Sequence, residues 1–594
     1  MLGSNSVRFL RFILYCFLAA MAVTSGEAAP QEAPHRDVFL ITIDTLRSDH
    51  IHCYGYERIQ TPSLDELAKQ GIRFTQAFTP SPLTNSSHTS ILTGLLPSSH
   101  GVSDFGVPLK SDHPTLAELE KKQGYQTAAF IGSVILDSKR LAPGLDRGFD
   151  FYDNFPEKPQ MKLRWGQIER RGLDVAQRAE NWLDGHEAAP RFVWIHLYDP
   201  HDPYEPPSPY SEIYKGRLYD GEIAYADLAL GHFLAYLKKR GWYDGALIVL
   251  GGDHGEGLGE HHEDTHGIFL YDSTIHVPLI LKLPNEQQSG RVVDEQVRTT
   301  DIMPTILDLQ GIPMPARMDG ASLMPLILGA DSSARTVFGE TDYPLRFGWA
   351  PLRSVRQDGF KFIEAPRPEL YDLHSDAGEL HNHYAPWDTR VQTLRKTLAE
   401  RTAESQSKRK TSPSTVSSGT VDELHALGYL GPADARSSTD VPEPSLLPDP
   451  KDKIEEQNLM HIATMASEVG QWVKARIALE KLVQLDDKSL IAQLLLGRVY
   501  LNLNKPKAAE HEFETAVLLQ PGNMEAQLGL AKALLGERKF ADAVDLLEET
   551  TKSGAKEPEA FELLAQAYTG LGKPALAKQA ADQASSIRGA KPQQ

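Results

Sequence analysis

Apolar and polar residues alternate along residues 37–382 in the manner of short buried strands separated by amphipathic helices. The clearest apolar runs lie at 38–43, 192–197 and 246–250, and they are rich in β-branched and aromatic side chains. Short strands that alternate with longer helical stretches are typical of a parallel sheet covered by helices. The pattern therefore predicts an α/β domain.

Polar residues follow each of these three runs. Asp44 comes directly after the first run, Asp253 and His254 follow the last, and the segment 198–204 carries His201. Because open parallel sheets bind ligands beyond the carboxyl ends of their strands, three polar loops after three strands predict one shared site. Carboxylate oxygens and imidazole nitrogens are ligands that divalent cations take in proteins.

The pattern changes after residue 382. Residues 404–453 are rich in Ser, Thr, Pro, Lys and Asp, which predicts a linker with one apolar segment at 424–430. Small residues then recur every 34 residues, at Ala463, Gly497, Ala531 and Ala565, and again at Ala475, Ala509, Ala543 and Ala577. Over residues 454–590 this period resembles that of tetratricopeptide repeats, about four of them, which implies an all-α solenoid that binds a protein partner.

The first 29 residues have the pattern of a signal peptide. Arg8 and Arg11 precede an apolar run at 12–23, and small residues at 25–29 favour cleavage nearby. The run is about a dozen residues long, whereas a spanning helix needs about 20. We therefore expect a periplasmic or secreted protein. Retention of the segment as an anchor is the alternative, and only that alternative predicts membrane association.

Composition narrows the range of functions. The 594 residues include 61 Lys and Arg against 80 Asp and Glu, and the resulting formal net charge of −19 disfavours binding to a nucleic-acid backbone. The length predicts two to four domains. The two cysteines, Cys16 and Cys53, are too few for a disulfide framework, so we expect stability to come from packing.

A hydroxyl-rich segment at 81–94 precedes a predicted helix. Alone, such a segment is typical of a helix N-cap. Together with Asp44 and the pair Asp253 and His254, it resembles the sulfatase family of the alkaline phosphatase superfamily over residues 37–382. The resemblance implies an α/β/α sandwich with a catalytic core at 36–335, and a small C-terminal antiparallel sheet in a subdomain at 336–403.

The match to the family's signature motif departs from it at the reactive position. Counting back from Thr93 and Gly94, Thr84 stands at the nucleophile and His88 at an arginine. Sulfatases convert a Cys or Ser there to formylglycine, whereas threonine oxidised at that carbon would give a ketone. Threonine is instead the nucleophile of phosphodiesterase and phosphoethanolamine-transferase relatives. The resemblance thus implies direct attack by Thr84, with His88 as a further catalytic residue.

The same resemblance implies a metal site. Carried over position by position, Asp44, Thr84, Asp253 and His254 bind one divalent cation. Imidazole among the ligands favours Mn²⁺ or Zn²⁺ over Ca²⁺. A bound cation lowers the pKa of a hydroxyl and neutralises charge on the transferred group.

Three further residues are expected to contact the transferred anion. His201 matches a family histidine that can protonate the leaving oxygen, although a structural histidine in a turn is the alternative. His266 replaces the family's anion-binding lysine. It either donates to the substrate as a catalytic residue or joins Asp199 and His201 as a ligand of a second cation. Arg47 either steadies the anion or has a structural role.

The leading prediction is a metal-dependent hydrolase that cleaves a phosphoester, a phosphonate or a sulfate ester, with a glycan or lipid headgroup as the candidate carrier of the anion. One alternative is a transferase that passes a phospho-headgroup to an acceptor instead of water. The other is a catalytically lapsed domain whose functional surface is the repeats. The joint presence of Asp44, Thr84, Asp253 and His254 argues against a lapsed site.

Overall fold

The computed structural model describes residues 36–156, 168–188, 190–406, 446–552 and 557–589. The predicted signal peptide and most of the predicted linker, including the apolar segment at 424–430, lie outside these residues. The described strands are β1 Val38–Ile43, β2 Ile72–Phe78, β3 Gln126–Phe130, β4 Phe151–Asp153, β5 Arg191–Leu197, β6 Leu247–Gly252, β7 His276–Lys282, β8 Arg291–Val293, β9 Val297–Arg298, β10 Val337–Thr341, β11 Leu352–Gln357, β12 Phe360–Glu364 and β13 Glu369–Asp372.

Helices lie between and after these strands. The α-helices are α1 Pro62–Gln70, α2 Thr84–Thr93, α3 Pro97–His100, α4 Leu116–Lys122, α5 Gly172–Asp184, α6 Tyr210–Ile213, α7 Leu218–Lys239, α8 Asp272–Ile275, α9 Ile302–Gln310, α10 Met324–Ile327, α11 Thr389–Gln406, α12 Ile454–Glu468, α13 Trp472–Leu485, α14 Leu490–Asn502, α15 Pro506–Leu519, α16 Met524–Gly536, α17 Phe540–Lys552, α18 Pro558–Gly570 and α19 Pro574–Gly589. Short 3₁₀ turns occur at Ser48–His50, His52–Tyr54, Val134–Leu136, Glu260–His262, Pro284–Glu286, Thr299–Asp301, Tyr343–Phe347 and Pro450–Asp452.

A mixed sheet forms the centre of the first domain. Its strands lie in the order β4-β3-β5-β1-β6-β7-β2-β8, with β9 also paired to β2. The central strand β1 runs parallel to both β5 and β6, so that Ile43 lies level with Leu197 and Gly252. The three predicted polar loops therefore all begin at the carboxyl ends of adjacent parallel strands.

Alternating residues of β1 face two separate apolar layers. Val38 and Leu40 pack in one cluster, whereas Phe39, Ile41 and Ile43 pack in the other. Helices α2, α4 and α9 contribute to the first layer, and α5 and α7 contribute to the second. Because every residue of β1 is buried, the run has no polar side. This arrangement confirms the predicted α/β/α sandwich.

A second sheet of four antiparallel strands, β10-β11-β12-β13, follows the core, and α11 packs on it through Val391, Leu394 and Leu398. It confirms the small C-terminal sheet expected from the sequence. The described chain resumes at residue 446 and contacts the segment before β11 and the loop between β12 and β13. The Ala350 N–H donates to the Pro448 carbonyl at 2.9 Å, and the Arg367 N–H donates to Asp449 Oδ2 at 2.9 Å.

Helices α12 to α19 pair into antiparallel hairpins with the predicted 34-residue period. Small residues fill the helix crossings, and Ala475, Ala509 and Ala543 are fully buried. The first hairpin is continuous with the catalytic core, because Met460 and Ala463 belong to the same apolar cluster as Val38. Among the described helices, none has both the length and the apolar composition required to cross a bilayer.

Candidate active site

Four predicted residues meet at the carboxyl edge of the large sheet. Asp44 directly follows β1, Asp253 and His254 directly follow the adjacent β6, and Thr84 is the first residue of α2. All four are fully buried. Thr84 Oγ1 lies 3.1 Å from His254 Nε2. The pairing of β1 with β6 therefore brings together residues that are 209 positions apart in the chain.

The imidazole of His254 presents an unprotonated nitrogen to this cluster. Its Nδ1 donates to the Gly255 carbonyl at 2.9 Å, which leaves the lone pair on Nε2. That nitrogen lies 3.5 Å from Asp44 Oδ1 and 3.4 Å from Asp253 Oδ2. A backbone carbonyl that fixes the tautomer in this way is typical of a metal-ligating histidine.

Two carboxylate oxygens in the cluster have no protein donor. Asp44 Oδ1 and Asp253 Oδ2 are buried and lack a hydrogen-bond partner among the described residues. Buried polar atoms are nearly always satisfied, so orphaned oxygens on two adjacent carboxylates favour a shared ligand between them. The ligand atoms of Asp44, Asp253 and His254 all lie within 4.8 Å of one another. The donor set fits a divalent cation.

The electrostatics of the cluster also fit a cation. Burial raises the pKa of Asp44 well above its ordinary value, and repulsion from Glu256 adds to the effect. Burial likewise raises the pKa of Asp253, with repulsion from Asp44 as the next cause. Burial and the neighbouring His266 lower the pKa of His254. Two carboxylates that repel each other beside a neutral imidazole are stabilised by a positive charge between them.

His88 lies beside this cluster in a supporting role. Its Nδ1 donates to the Thr84 carbonyl at 2.7 Å, and its Nε2 accepts from the Thr42 hydroxyl at 2.9 Å. His88 Nδ1 is also 3.5 Å from Asp253 Oδ2. Burial lowers the pKa of His88 well below its ordinary value, so a neutral imidazole stands where the family has an arginine. Both nitrogens are engaged, which makes His88 a holder of the Thr84 backbone.

His196, on β5, holds Asp44 in the same way. The Gly132 N–H donates to His196 Nδ1 at 3.2 Å, so Nε2 carries the proton and donates to Asp44 Oδ2 at 3.2 Å. Burial lowers the pKa of His196 to about 3. His88, His196 and Asp253 are close enough to share a cation. Because the nitrogens of both rings are already hydrogen-bonded, however, the group centred on His254 is the better metal site.

Two further histidines, His266 and His201, form ring contacts that extend from His254. The His266 ring centroid lies 4.4 Å from that of His254 and 5.2 Å from that of His201. His266 Nδ1 is 2.8 Å from Glu256 Oε1. Burial, followed by the charge of His461, lowers the pKa of His266 to about 3. A neutral His266 therefore does not supply the positive charge of the family's lysine.

Arg47 is committed to protein partners. Its guanidinium makes two hydrogen bonds to Asp49, at 2.8 and 2.9 Å, and Nη1 donates to Glu260 Oε1 at 2.9 Å and to the Glu256 carbonyl at 3.1 Å. This geometry corresponds to the structural alternative for Arg47. It does not provide the contact with the transferred anion that was the other expectation.

The second-cation hypothesis requires Asp199 as a ligand, and the contacts of Asp199 do not favour it. Asp199 Oδ1 accepts from Arg171 at 2.9 Å, and Oδ2 accepts from the Gly172 N–H at 2.8 Å. Both oxygens are therefore satisfied by protein donors at the start of α5. A cation there would have to displace a guanidinium.

Two features of the site were not identified from the sequence. His196 was part of a run interpreted only as a buried strand, and its position at the carboxyl end of β5 was the available signal. Thr45 adopts a left-handed φ of 50°, and this turn directs its N–H to Asp253 Oδ1 at 3.1 Å. Positive φ at a β-branched residue is rare and marks a functional turn after β1.

Comparisons with known proteins follow the same division of the chain. Residues 36–312 match the Sulfatase family model, residues 259–408 match the model for the C-terminal region of N-sulphoglucosamine sulphohydrolase, and residues 504–567 match a Tetratricopeptide repeat model. The repeat match confirms the predicted tetratricopeptide repeats.

Individual relatives have low sequence identity to this chain, but the alignments span most of each relative's length. An arylsulfatase of Clostridium perfringens is 26% identical over 456 residues, which cover 61% of this chain and 93% of the relative. The multifunctional alkaline phosphatase superfamily protein PehA of Trinickia caryophylli is 24% identical and covers 58% and 91%. The crystal structure of the phosphonate monoester hydrolase of Agrobacterium radiobacter superimposes with a TM-score of 0.54 at 23% identity, covering 63% and 96%, which shows a shared fold.

Proposed function

Because the first half of this chain is a sulfatase-family hydrolase domain, we propose that the protein cleaves anionic esters with Thr84 as the nucleophile and a divalent cation as cofactor. The observation that carries the proposal is the position of Thr84 Oγ1, 3.1 Å from the unprotonated Nε2 of His254 and beside the two orphaned oxygens of Asp44 and Asp253. Asp44, Thr84, Asp253 and His254 would hold the cation. When bound, it supplies charge neutralisation and a lower hydroxyl pKa.

The surrounding residues fix the nucleophile and exclude water. His88 holds the Thr84 carbonyl, and His196 holds Asp44, so both groups are oriented before substrate binds. Thr84 is completely buried, so bulk water does not surround its hydroxyl before attack. Attack forms a covalent ester to Thr84 as the leaving oxygen departs, and water then cleaves this ester and regenerates the hydroxyl. The ring of His201 contacts that of His266 at a centroid distance of 5.2 Å, and His201 is the proposed donor of a proton to the leaving oxygen.

Phosphorus esters are the favoured substrates. A threonine side chain is not the substrate of the modification that makes formylglycine from Cys or Ser, so the route by which sulfatases release sulfate has no starting residue here. Direct attack by a hydroxyl suits a phosphomonoester, a phosphodiester or a phosphonate. The relatives include an arylsulfatase as well as a multifunctional superfamily member, so sulfate esters belong in the same assay.

The proposal extends to partners and location. With a net charge of −19, the protein must recognise an anion by local groups, which suits a small anionic ester carried on a glycan or a lipid headgroup. The tetratricopeptide repeats provide a surface for a protein partner. Arg8, Arg11 and the apolar run at 12–23 favour export, which fractionation of expressing cells with an N-terminal truncation as control would test.

A parallel assay tests the chemistry. The purified protein, stripped of metal and reloaded with Mn²⁺, Zn²⁺ or Ca²⁺, is offered p-nitrophenyl sulfate, phosphate, a phosphodiester and a phenylphosphonate. We expect turnover of at least one phosphorus ester that Thr84→Ala lowers roughly 10⁴-fold. Thr93→Ala is the matched control, because Thr93 is a buried threonine on the same helix whose hydroxyl only bonds the helix backbone. Turnover of the sulfate alone would overturn the preference for phosphorus, and unchanged turnover in Thr84→Ala would overturn the nucleophile.

A further inference from the structure

The first repeat helix contacts the loops of the catalytic site directly. On α12, His461 Nε2 donates to Asp202 Oδ2 at 2.7 Å. One turn earlier on the same helix, Asn458 Nδ2 donates to the His262 carbonyl at 2.7 Å, and its Oδ1 accepts from the Asp264 N–H at 3.3 Å. The helix thus bridges two loops that follow two different strands, β5 and β6.

Asp202 connects this contact to the proposed proton donor. Its side chain accepts from His461, while its backbone carbonyl accepts from His201 Nδ1 at 2.6 Å. A hydrogen bond donated by Nδ1 fixes the ring orientation of a histidine, and in the imidazolium form it leaves the second proton on Nε2 for transfer to the leaving oxygen. Two hydrogen bonds on one residue therefore lead from the repeat helix to the ring of His201.

The catalytic domain holds the rest of this loop without the repeats. Glu222 on α7 accepts from the His201 N–H at 3.1 Å and from the Glu205 N–H at 2.8 Å, and Arg171 donates to Glu222 at 3.2 Å. These bonds fix the backbone on both sides of Asp202. The Asp202 side chain projects the other way, towards α12.

The contact is partly shielded from water. The side chains of His461 and Asp202 are 14% and 21% exposed. A hydrogen bond to a carboxylate in such a position is stronger than an exposed surface pair, and losing it leaves a half-desolvated charge beside the site. The bond is therefore strong enough to select one loop position.

We propose that His461 is a positioning residue of the active site, by which the first repeat helix holds Asp202 and, through the Asp202 carbonyl, the ring of His201. The inference rests on the proposed function in assigning His201 a role in turnover. It makes the repeats a structural part of the catalytic centre as well as a surface for a partner. The contact between His461 and Asp202 does not depend on which ester is the substrate.

Hydrogen–deuterium exchange of the full-length protein tests the contact without any assay of activity. His461→Ala should raise exchange in the peptide that covers residues 198–205 several-fold and leave peptides of α7 unchanged. His461→Gln, whose side-chain amide can donate to Asp202, should restore much of the protection. His511→Ala, at an exposed histidine on α15, is the matched control and should leave residues 198–205 unchanged. Equal exchange in His461→Ala and the wild type would overturn the proposal.

Steady-state kinetics on the preferred ester test the consequence. We expect His461→Ala to lower kcat about 10- to 100-fold with a smaller change in KM, because a displaced His201 impairs proton donation more than binding. His461→Gln should recover most of the loss, and His511→Ala should match the wild type. Increased exchange with wild-type kcat would overturn the catalytic part of the inference. A wild type that is inert on every ester would overturn the proposed function, while the exchange data would still decide whether His461 holds the loop.

Discussion

The interior of the catalytic domain and the interior of the repeats differ in what they bury. Asp44, Asp253 and Glu256 are fully inaccessible at the end of the large sheet. In the repeats fully buried positions such as Ala509, Phe513 and Leu547 are apolar, whereas a buried carboxylate such as Glu512 keeps 9% exposure. One region gives up stability to place charge in a dry site, and the other gains stability from close helix packing.

Physical chemistry accounts for the difference. A buried carboxylate destabilises the folded state unless a proton, a cation or hydrogen bonds compensate for its charge. In a helical solenoid, each hairpin is instead stabilised by contact with its neighbours, so small residues at the crossings decide its stability. Substitutions should therefore have opposite consequences in the two regions, with activity and stability separating in the first and only stability responding in the second.

Among the changes that compare the two regions, Asp253→Asn should have the largest effect. Turnover should fall roughly 10³-fold or more, because a cation ligand loses its negative charge. The same change removes the repulsion between Asp44 and Asp253, so the metal-free variant should unfold at a higher temperature than the metal-free wild type. Thermal unfolding in the presence of a chelator, together with turnover after reloading, measures both.

Asp227→Asn is the control for that experiment. Asp227 is also buried, but it accepts hydrogen bonds from the Ser63 and Leu64 N–H groups at 3.1 and 2.7 Å. Its amide variant should lose stability and keep activity. A metal-free Asp253→Asn protein less stable than the wild type would contradict the contrast drawn between the two regions.

The next effect concerns the pH dependence of stability. Burial raises the pKa of Glu120 on α4 to about 8, and both of its oxygens lack partners among the described residues. The folded state keeps the proton while the unfolded chain releases it near its ordinary value of 4.5, so this group lowers stability as pH rises from about 4.5 to 8. In Glu120→Gln the decline should be shallower by roughly 1 kcal/mol per pH unit.

Denaturant unfolding at several pH values measures this difference. Glu559→Gln makes the same change of charge at an exposed side chain of the repeats and is the control. Parallel stability curves for Glu120→Gln and the wild type would show that Glu120 is ionised in the folded protein, contrary to its burial.

A smaller effect is expected from steric change in the repeats. A Cβ atom at Gly529 on α16 would lie 2.3 Å from the ring of Phe513, so Gly529→Leu should cost about 1–3 kcal/mol by overpacking. Turnover should stay within about twofold of the wild type, since the clash is confined to α15 and α16. Gly522→Leu, where the added Cβ meets nothing within 4 Å, is the control.

Denaturant unfolding by far-ultraviolet circular dichroism gives the stability of the helical half, and the ester assay gives turnover. If Gly529→Leu abolished turnover while the catalytic domain stayed folded, the two regions would be coupled far beyond the contacts of α12.

The smallest effect is expected for a surface ion pair. Lys532 Nζ lies 2.8 Å from Glu559, with the two side chains 42% and 47% exposed. Lys532→Ala should change the free energy of unfolding by less than about 0.5 kcal/mol, and salt should remove the difference. Urea titrations at low and high ionic strength measure this change in the free energy of unfolding. A loss above about 1 kcal/mol would show that ion pairs stabilise the repeats more than the packing argument allows.

Much of the fold could be predicted because the relevant signals are local. Apolar runs gave the strands at 38–43 and 192–197, and the 34-residue period gave the helical hairpins. The positions of Asp44, Asp253 and His254 followed from one geometric rule about strand ends. Asp44 lies beside Asp253 and His254 because β1 and β6 are neighbours in the sheet.

The remaining features depend on contacts between distant segments. For Arg47 the sequence left two roles open, contact with the anion or a structural role. Its pairing with Asp49 and Glu260 depends on the fold of loops that have no periodic sequence pattern. Asp199 could not be seen to pair with Arg171, because the segment between them includes a whole helix. His461 lies on a helix whose spacing indicates only its own hairpin. The 34-residue period indicates how the helices pack on one another, but it does not indicate which residues of another domain they contact.

The continuity of the apolar cluster from Val38 to Met460 has a consequence for how this solenoid can change in length. Arrays of helical repeats normally require a terminal unit with a polar outer face, which seals the stack from water. Here the α/β domain is itself that seal for the first hairpin. Duplication of a hairpin beyond α13 would leave this junction intact, whereas an extra hairpin inserted ahead of α12 would carry His461 away from Asp202.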